Sequence, residues 1–268
     1  MGELIHVAIL NLQNHREKSI IRCRKGWNEM DPLHQFVISP IFNMNVAGID
    51  LSFTNSSLAV VTTVFLLILL FVLGLRNRTI VPSRLQSVLE MAYELVSNLI
   101  SSNIGKEGLK YFPFVFSIFL FVLFGNLMGM IPYMFTFTSH IIVTFTLAMV
   151  VISFVTILGV VLHGSKFFSL FVPKGVPIFL SPFLVPIEII SYMSRPVSLS
   201  VRLFANMMAG HTMMKVFAGF AVMLGSFGVV PVVANVVLTG FEIIIAALQA
   251  YVFTILTCVY LNDAIHLH

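Results

Sequence analysis

The sequence is poor in charge. Only 10% of its 268 residues are Asp, Glu, Lys or Arg and 58% are hydrophobic, whereas an ordinary soluble domain carries about 25% charged residues. A water-soluble fold could not solvate itself with so few charges, so the medium is a bilayer. Cysteine is also scarce. Cys23 and Cys258 stand alone, without partners at metal-ligand spacing, which excludes a disulfide framework and a zinc site; no metal or other cofactor is expected. The formal charge of +4 builds no basic stripe, because the Lys and Arg residues are scattered between apolar runs; nucleic acid is therefore not an expected partner. The N-terminus lacks the short apolar core and small-residue cleavage site of a secretory signal. Residues 1–29 read as a polar tail ahead of a single membrane domain over residues 30–268.

What the sequence does have is long apolar runs, with 26 Phe and 14 Met suited to a lipid-facing surface and an adaptable interior. Leu58 to Leu75 is uncharged and leucine-rich, about the minimum length for crossing hydrocarbon. After Pro82-Ser83 the pattern changes: Leu85, Val88, Leu89, Ala92, Leu95, Val96 and Leu99 recur at helical spacing with Arg84, Glu90, Glu94 and Asn98 among them. This predicts an amphipathic interfacial helix opened by a Ser83–Gln86 capping box. Tyr111 to Leu162 contains no Asp, Glu, Lys or Arg over 52 residues, which at about 20 residues per crossing is two helices. Their turn is placed at Ile131–Ser139, and a loop follows over His163–Pro182. The last third predicts two long helices divided near Gly225–Pro231. The fold class is all-α, a polytopic membrane protein of about five transmembrane helices plus one amphipathic helix.

The positive-inside rule orients it. Five crossings put Arg76, Arg78, Arg84, Lys106, Lys110, Lys166 and Lys174 on one side, and the uncharged turns at Ile131–Ser139 and Gly225–Pro231 on the other. The basic side, with the C-terminus, is cytoplasmic, or matrix in a mitochondrion. The N-terminus then falls outside, although its tail carries Arg16, Lys18, Arg22, Arg24 and Lys25, which short translocated tails avoid. Translation beginning at Met30, just before Asp31, resolves the conflict.

The final third carries Glu188, Arg195, Arg202, Lys215 and Glu242 inside long apolar stretches. A charge at the centre of a span costs about 2.5–3.5 kcal/mol on insertion scales, so each needs a partner, water or a function. Arg202 and Asn206 share one helical face at i and i+4, with Ser198 before them and Ala209 after. No acid stands three or four positions from Arg202, which makes it a candidate partner for a carboxylate on another subunit. The bland alternative is an arginine snorkelling to the headgroups, and the position of Arg202, about 30 Å of helix before Gly225, weakens it. Glu188, fourteen positions earlier, shares that side if the helix survives Pro196. His211, nine positions later, points the opposite way. Asn235, Glu242 and Gln249 repeat every seven residues and draw a polar stripe. That stripe suits a water-filled path, with interhelical hydrogen bonding as the alternative, and His211 with Glu242 forms a plausible relay.

The run PVSLSVRLFANMMAGH from Pro196 to His211, with FEIIIAALQAYVFTILTCVYLNDAIHLH from Phe241 to His268, resembles subunit a of F-type ATP synthases. The match extends more loosely from Asp31 to the end. The resemblance implies two long tilted helices curving around a ring of c subunits, with Arg202 facing the ring's essential carboxylates and Asn206 beside it. It further implies Glu188 and Gln249 lining the polar path, and His211 and Glu242 as an interacting ionisable pair; Ser198 on the Arg202 face and Asn235 on the seven-residue stripe are further candidate lining by position. That pair stands in the alphaproteobacterial and mitochondrial arrangement, and MMAGHTMMKVFAGF is similar to alphaproteobacterial members. The implied partners are the c ring, peripheral-stalk b subunits, the lipid bilayer and protons. The implied location is a bacterial inner membrane, with the mitochondrial inner membrane as alternative. No catalytic chemistry of its own is implied.

Two rivals remain at this point. A secondary transporter would show two related halves, and no internal repeat is found. A non-conducting scaffold would use buried charges only to dock helices. For the start site, mass spectrometry of the purified chain is expected to find no peptides from residues 1–29; recovering them would reject initiation at Met30.

Overall fold

The computed structural model describes residues 38–42, 45–46, 49–50, 52–76, 82–131, 134–164, 167 and 181–266. The polar tail, the Met30 start and the loop cations Arg78, Lys166 and Lys174 lie outside these residues. Six α-helices run along the described chain: α1 Asn55–Leu75, α2 Arg84–Asn103, α3 Phe112–Gly129, α4 Ile141–His163, α5 Ser181–Met223 and α6 Val229–Ile265. Short 3-10 turns precede α3 (Lys106–Tyr111), α4 (Phe137–Ser139) and α6 (Gly225–Gly228). The polytopic all-α architecture expected from the apolar runs is present.

Two small antiparallel pairs stand before α1, where the sequence predicts no element. Strand β1 Pro40–Phe42 pairs with β4 Phe53–Thr54, and β2 Asn45–Val46 pairs with β3 Ile49–Asp50. Strands of two or three residues are too short to produce a readable alternation.

Among the described residues, four stretches are long and apolar enough to cross a membrane: Asn55–Leu75, Lys106–Gly129, Ile141–His163 and Val229–Ile265. The fifth expected crossing is α5, whose charged and polar residues lower its hydropathy. At 43 and 37 residues, α5 and α6 are about 65 and 55 Å long, well beyond the ~30 Å hydrocarbon core. Lengths of this order support the expected tilt. Pro186 and Pro196 both lie inside α5 without ending it, so the continuity on which the Glu188–Arg202 relation depends is met.

Helix starts depart from the sequence reading where capping decides them. The first helix begins at Asn55, not Leu58, because Thr54 is its N-cap and its side-chain oxygen accepts from the Ser57 N–H at 3.4 Å. Asn55, Ser56 and Ser57 therefore form the first turn. Ser83 caps α2 as expected, accepting from the Gln86 N–H at 3.4 Å. The reciprocal half of the capping box is replaced, since the Gln86 amide donates to Glu90 Oε1 at 2.8 Å.

Only Ser56, Thr63 and Gly74 are buried in α1, so this helix is peripheral: Leu58, Leu69, Leu73 and Leu75 are exposed, while Leu67 packs against the core. In α3, Val115, Ile118, Phe119, Val122, Gly125 and Asn126 are buried, as expected for an apolar helix surrounded by others. The core joins Val96 and Ile100 of α2, Val115 and Phe119 of α3, Val151 and Val155 of α4, Leu199 and Leu203 of α5, and Ala250 and Phe253 of α6. Lipid is as apolar as these side chains, so close packing rather than exclusion from water favours association, and small residues serve it. At Gly125 an added Cβ would stand 2.6 Å from the Phe137 ring. Phe137, 1% exposed, anchors the turn between α3 and α4.

Gly125→Ala is expected to destabilise by ~1–3 kcal/mol through overpacking, read as a lower thermal unfolding midpoint of the detergent-purified protein. Phe137→Leu in the same chain should recover part of the loss. An unchanged midpoint for Gly125→Ala would contradict this packing.

Candidate functional site on the two long helices

Helix α5 has two distinct faces. Leu199, Leu203, Met207 and His211, spaced by four, are buried against the bundle, while Ser198, Arg202, Ala205, Asn206 and Ala209 are exposed on the other side. The 3.6-residue period dictates this separation: nine positions turn the chain by about half a revolution beyond two turns. The guanidinium of Arg202 therefore looks out of the molecule over a strip of small and neutral residues. Among the described residues Arg202 makes no ion pair.

The reverse face meets α6. Glu242, Ala246, Gln249 and Phe253 are buried on one side of α6. The Asn206 amide, at the edge of the outer strip, donates to Gln249 Oε1 at 2.8 Å, linking the Arg202 strip to the stripe on α6. Further along, His211 Nδ1 lies 3.6 Å from Glu242 Oε1, with both side chains almost fully buried. The expected ionisable pair is therefore brought together. Thr239 donates to Met214 Sδ at 3.4 Å one turn beyond.

The turn between α3 and α4 supplies a partner that sequence reading missed. The Thr136 hydroxyl lies 3.3 Å from the Gly129 carbonyl and 3.3 Å from His211 Nε2. The hydroxyl has one proton to give; when it goes to the carbonyl, Thr136 accepts from a protonated Nε2, and in either case Nδ1 is the ring nitrogen that faces Glu242. At 3.6 Å, Nδ1 and Glu242 Oε1 stand just beyond hydrogen-bond distance, so the imidazole and the carboxyl face each other as neighbouring proton-accepting groups.

Gly210 makes room for this. A Cβ there would come within 2.5 Å of Glu242 Oε1 and 2.8 Å of its Cδ. Beside the carboxylate is a cavity of about 220 Å³ lined by Asn206, Gly210, Met213, Met214 and Glu242 among others. Both Glu242 oxygens, Gln249 Nε2 and Asn235 Oδ1 are buried without a hydrogen-bond partner among the described residues. Unpaired buried groups of this kind are costly unless water reaches them, and a cavity of this size has room for several molecules.

Asn126 is a second missed residue. It is fully buried, and its amide donates to the Ala246 carbonyl at 3.3 Å, between Glu242 and Gln249 on the stripe of α6. The one available signal was an amide inside the chargeless stretch. Of the other expected residues, Glu188 and Asn235 are half-buried and Ser198 is exposed. Glu188 lies outside the Asn206–Glu242 cluster, toward the start of α5. Arg195, unassigned in sequence, forms an ion pair with Asp263 at 2.9 Å.

The family model described as ATP synthase A chain matches residues 56–262. A protein of Parvibaculum lavamentivorans named ATP synthase subunit a is 54% identical over 248 residues, covering 90% of this chain and 95% of the relative. Its namesake in Rhodospirillum rubrum is 56% identical over 238 residues, covering 88% and 99%. The one in Mesorhizobium japonicum is 53% identical over 246 residues, covering 89% and 98%. The chain belongs to the ATP synthase A chain family, whose members are multi-pass, non-catalytic components of the ATP synthase membrane sector.

Proposed function

We propose that this chain is the proton-conducting stator subunit of an F-type ATP synthase, with Arg202 facing the carboxylates of a rotating c ring. The observation that carries the reading is the two-faced α5. A permanent cation stands on an exposed strip of small residues with no ion pair among the described residues, while the titratable pair His211–Glu242 is buried on the reverse face. A strip of small residues lets another helix approach the guanidinium closely. A ring carboxylate moving past supplies the counter-charge that α5 does not carry beside Arg202.

The chemistry follows from electrostatics. Arg202 stabilises the ionised form of a carboxylate that comes against it and so favours release of its proton. A permanent cation also repels protons that would run straight between two channels. Lysine would serve poorly, because a buried amine can lose its charge and a guanidinium practically cannot. Two aqueous half-channels, opening to opposite sides, deliver and remove the protons. Glu242, His211, Asn206 and Gln249 belong to one path, around the cavity beside Gly210. Glu188 stands toward the other end of α5, with Ser198 on the Arg202 strip and Asn235 at the outer end of the α6 stripe as further lining. Each proton crossing 100 mV releases about 2.3 kcal/mol, which rotation of the ring passes to the peripheral head. In this reading the chain sits in a bacterial inner membrane with its C-terminus cytoplasmic, held by peripheral-stalk b subunits.

Arg202→Ala in the complete enzyme is expected to abolish proton-driven ATP synthesis in reconstituted vesicles; full synthesis in that variant would remove the assignment. Gly210→Ala should push the Glu242 carboxylate from its seat and slow proton uptake roughly ten-fold or more, in line with the cost of small misplacements. Glu242→Asp in the same chain, shorter by one methylene, should recover part of the rate in a vesicle pumping assay. Undiminished pumping by Gly210→Ala would contradict the contact.

A further inference from the structure

Arg195 is a permanent cation that the proposed proton path leaves unused, and it is surrounded by a built cluster. Its guanidinium Nη1 lies 2.9 Å from Asp263 Oδ2 in the last turn of α6. Its Cζ stands 5.3 Å from the centroid of the Tyr192 ring and 5.1 Å from that of Tyr260. The Tyr192 hydroxyl is hydrogen-bonded to Thr156 Oγ1 of α4 at 2.5 Å. Two residues beyond Asp263, His163 at the end of α4 reaches the Ile265 carbonyl at 3.0 Å. Three helices are thus gathered at one end of the bundle around one guanidinium. The charged side chains are 21% and 29% exposed, less wet than a surface pair and therefore less screened.

The position of this cluster gives it a consequence. Arg195 precedes Arg202 by seven residues, which is two turns, about 10 Å, and nearly the same side of α5. Going from the Met214–Thr239 contact to the Arg195–Asp263 pair takes 19 residues of α5 but 24 of α6. The two helices do not advance in step, so the contacts near Glu242 do not by themselves fix where the end of α6 meets α5. A charge-assisted bond with a planar donor fork can fix it, because it tolerates little change of distance or angle.

We propose that Arg195 and Asp263, caged by Tyr192 and Tyr260, form a positioning pair that sets the depth and roll of α5 and so holds Arg202 at the docking face. This rests on the proposed function of Arg202. A tie needed only for folding would change the amount of assembled complex and leave the work done per complex unchanged. A positioning pair changes coupling instead.

The test uses the complete ATP synthase in inverted membrane vesicles, comparing proton pumping per ATP hydrolysed with the amount of this chain in the purified complex. Arg195→Ala and Asp263→Ala are each expected to lower pumping per ATP roughly ten-fold or more, the scale of a small misplacement remote from the chemistry. The exchange of Arg195→Asp with Asp263→Arg should recover most of it, and Arg195→Lys, which keeps the charge without the planar fork, only part. Wild-type pumping per assembled complex in both alanine variants overturns the proposal, as does an assembled charge exchange that fails to recover. If the alanine variants do not assemble, the exchanged chain decides: assembled and coupled supports the pair, assembled and uncoupled refutes it. Arg202→Ala is the control. Coupled pumping there would remove the proposed function itself, whereas loss there with normal coupling in the Arg195 and Asp263 variants would remove only this inference.

Discussion

A guanidinium in the middle of a membrane helix is the constraint to which the rest of the structure answers. Its insertion cost, about 2.5–3.5 kcal/mol, would disfavour the crossing if no neighbour met the charge. Helix α5 does not meet it locally, since the strip around Arg202 is Ser198, Ala205, Asn206 and Ala209. The helix stays continuous through Pro186 and Pro196, which carries Arg202 to mid-length and keeps its face in register with the rest. The backbone of a lipid-exposed segment has no other way to satisfy its polar groups.

Because one helix carries both the cation and His211, the 3.6-residue period divides the work. What faces out is permanently charged and backed by small side chains. What faces in can gain and lose a proton and is held between Thr136 and Glu242. The hydrogen bond from the Asn206 amide to Gln249 Oε1 joins the two sides at the edge of the helix pair. Glycine matters at 210 for a reason unrelated to backbone freedom: the space its missing Cβ leaves is where a carboxylate oxygen sits.

Much of this was legible in the sequence, and the limit has a physical origin. Apolar run length gave the helices, and the stretch without charges resolved into α3 and α4 around a turn within the expected residues. Angular position gave the faces, so Arg202 and His211 on opposite sides of the helix follow from counting alone, while which side meets the bundle came from the packing. Periodicity names a face but not the neighbour across it. Asn126 with Ala246, 120 residues apart, Thr136 with His211, 75 apart, and Arg195 with Asp263, 68 apart, needed the packed helices. Capping moved the start of α1 by three residues because Thr54 competes successfully for the Ser57 N–H. Gly210 reads in sequence as one more small residue.

The central claim, that the Arg202 strip is the surface against which a moving carboxylate-bearing helix runs, is tested most directly by cross-linking. Single cysteines at Ala205 and Ala209, in the assembled enzyme with cysteines placed along the ring helices, are expected to form disulfides with the ring chain on mild oxidation. A cysteine at Leu203, buried on the opposite face, is expected to form none. Ring cross-links from Leu203, or their absence from both outer positions in an active enzyme, would contradict the account.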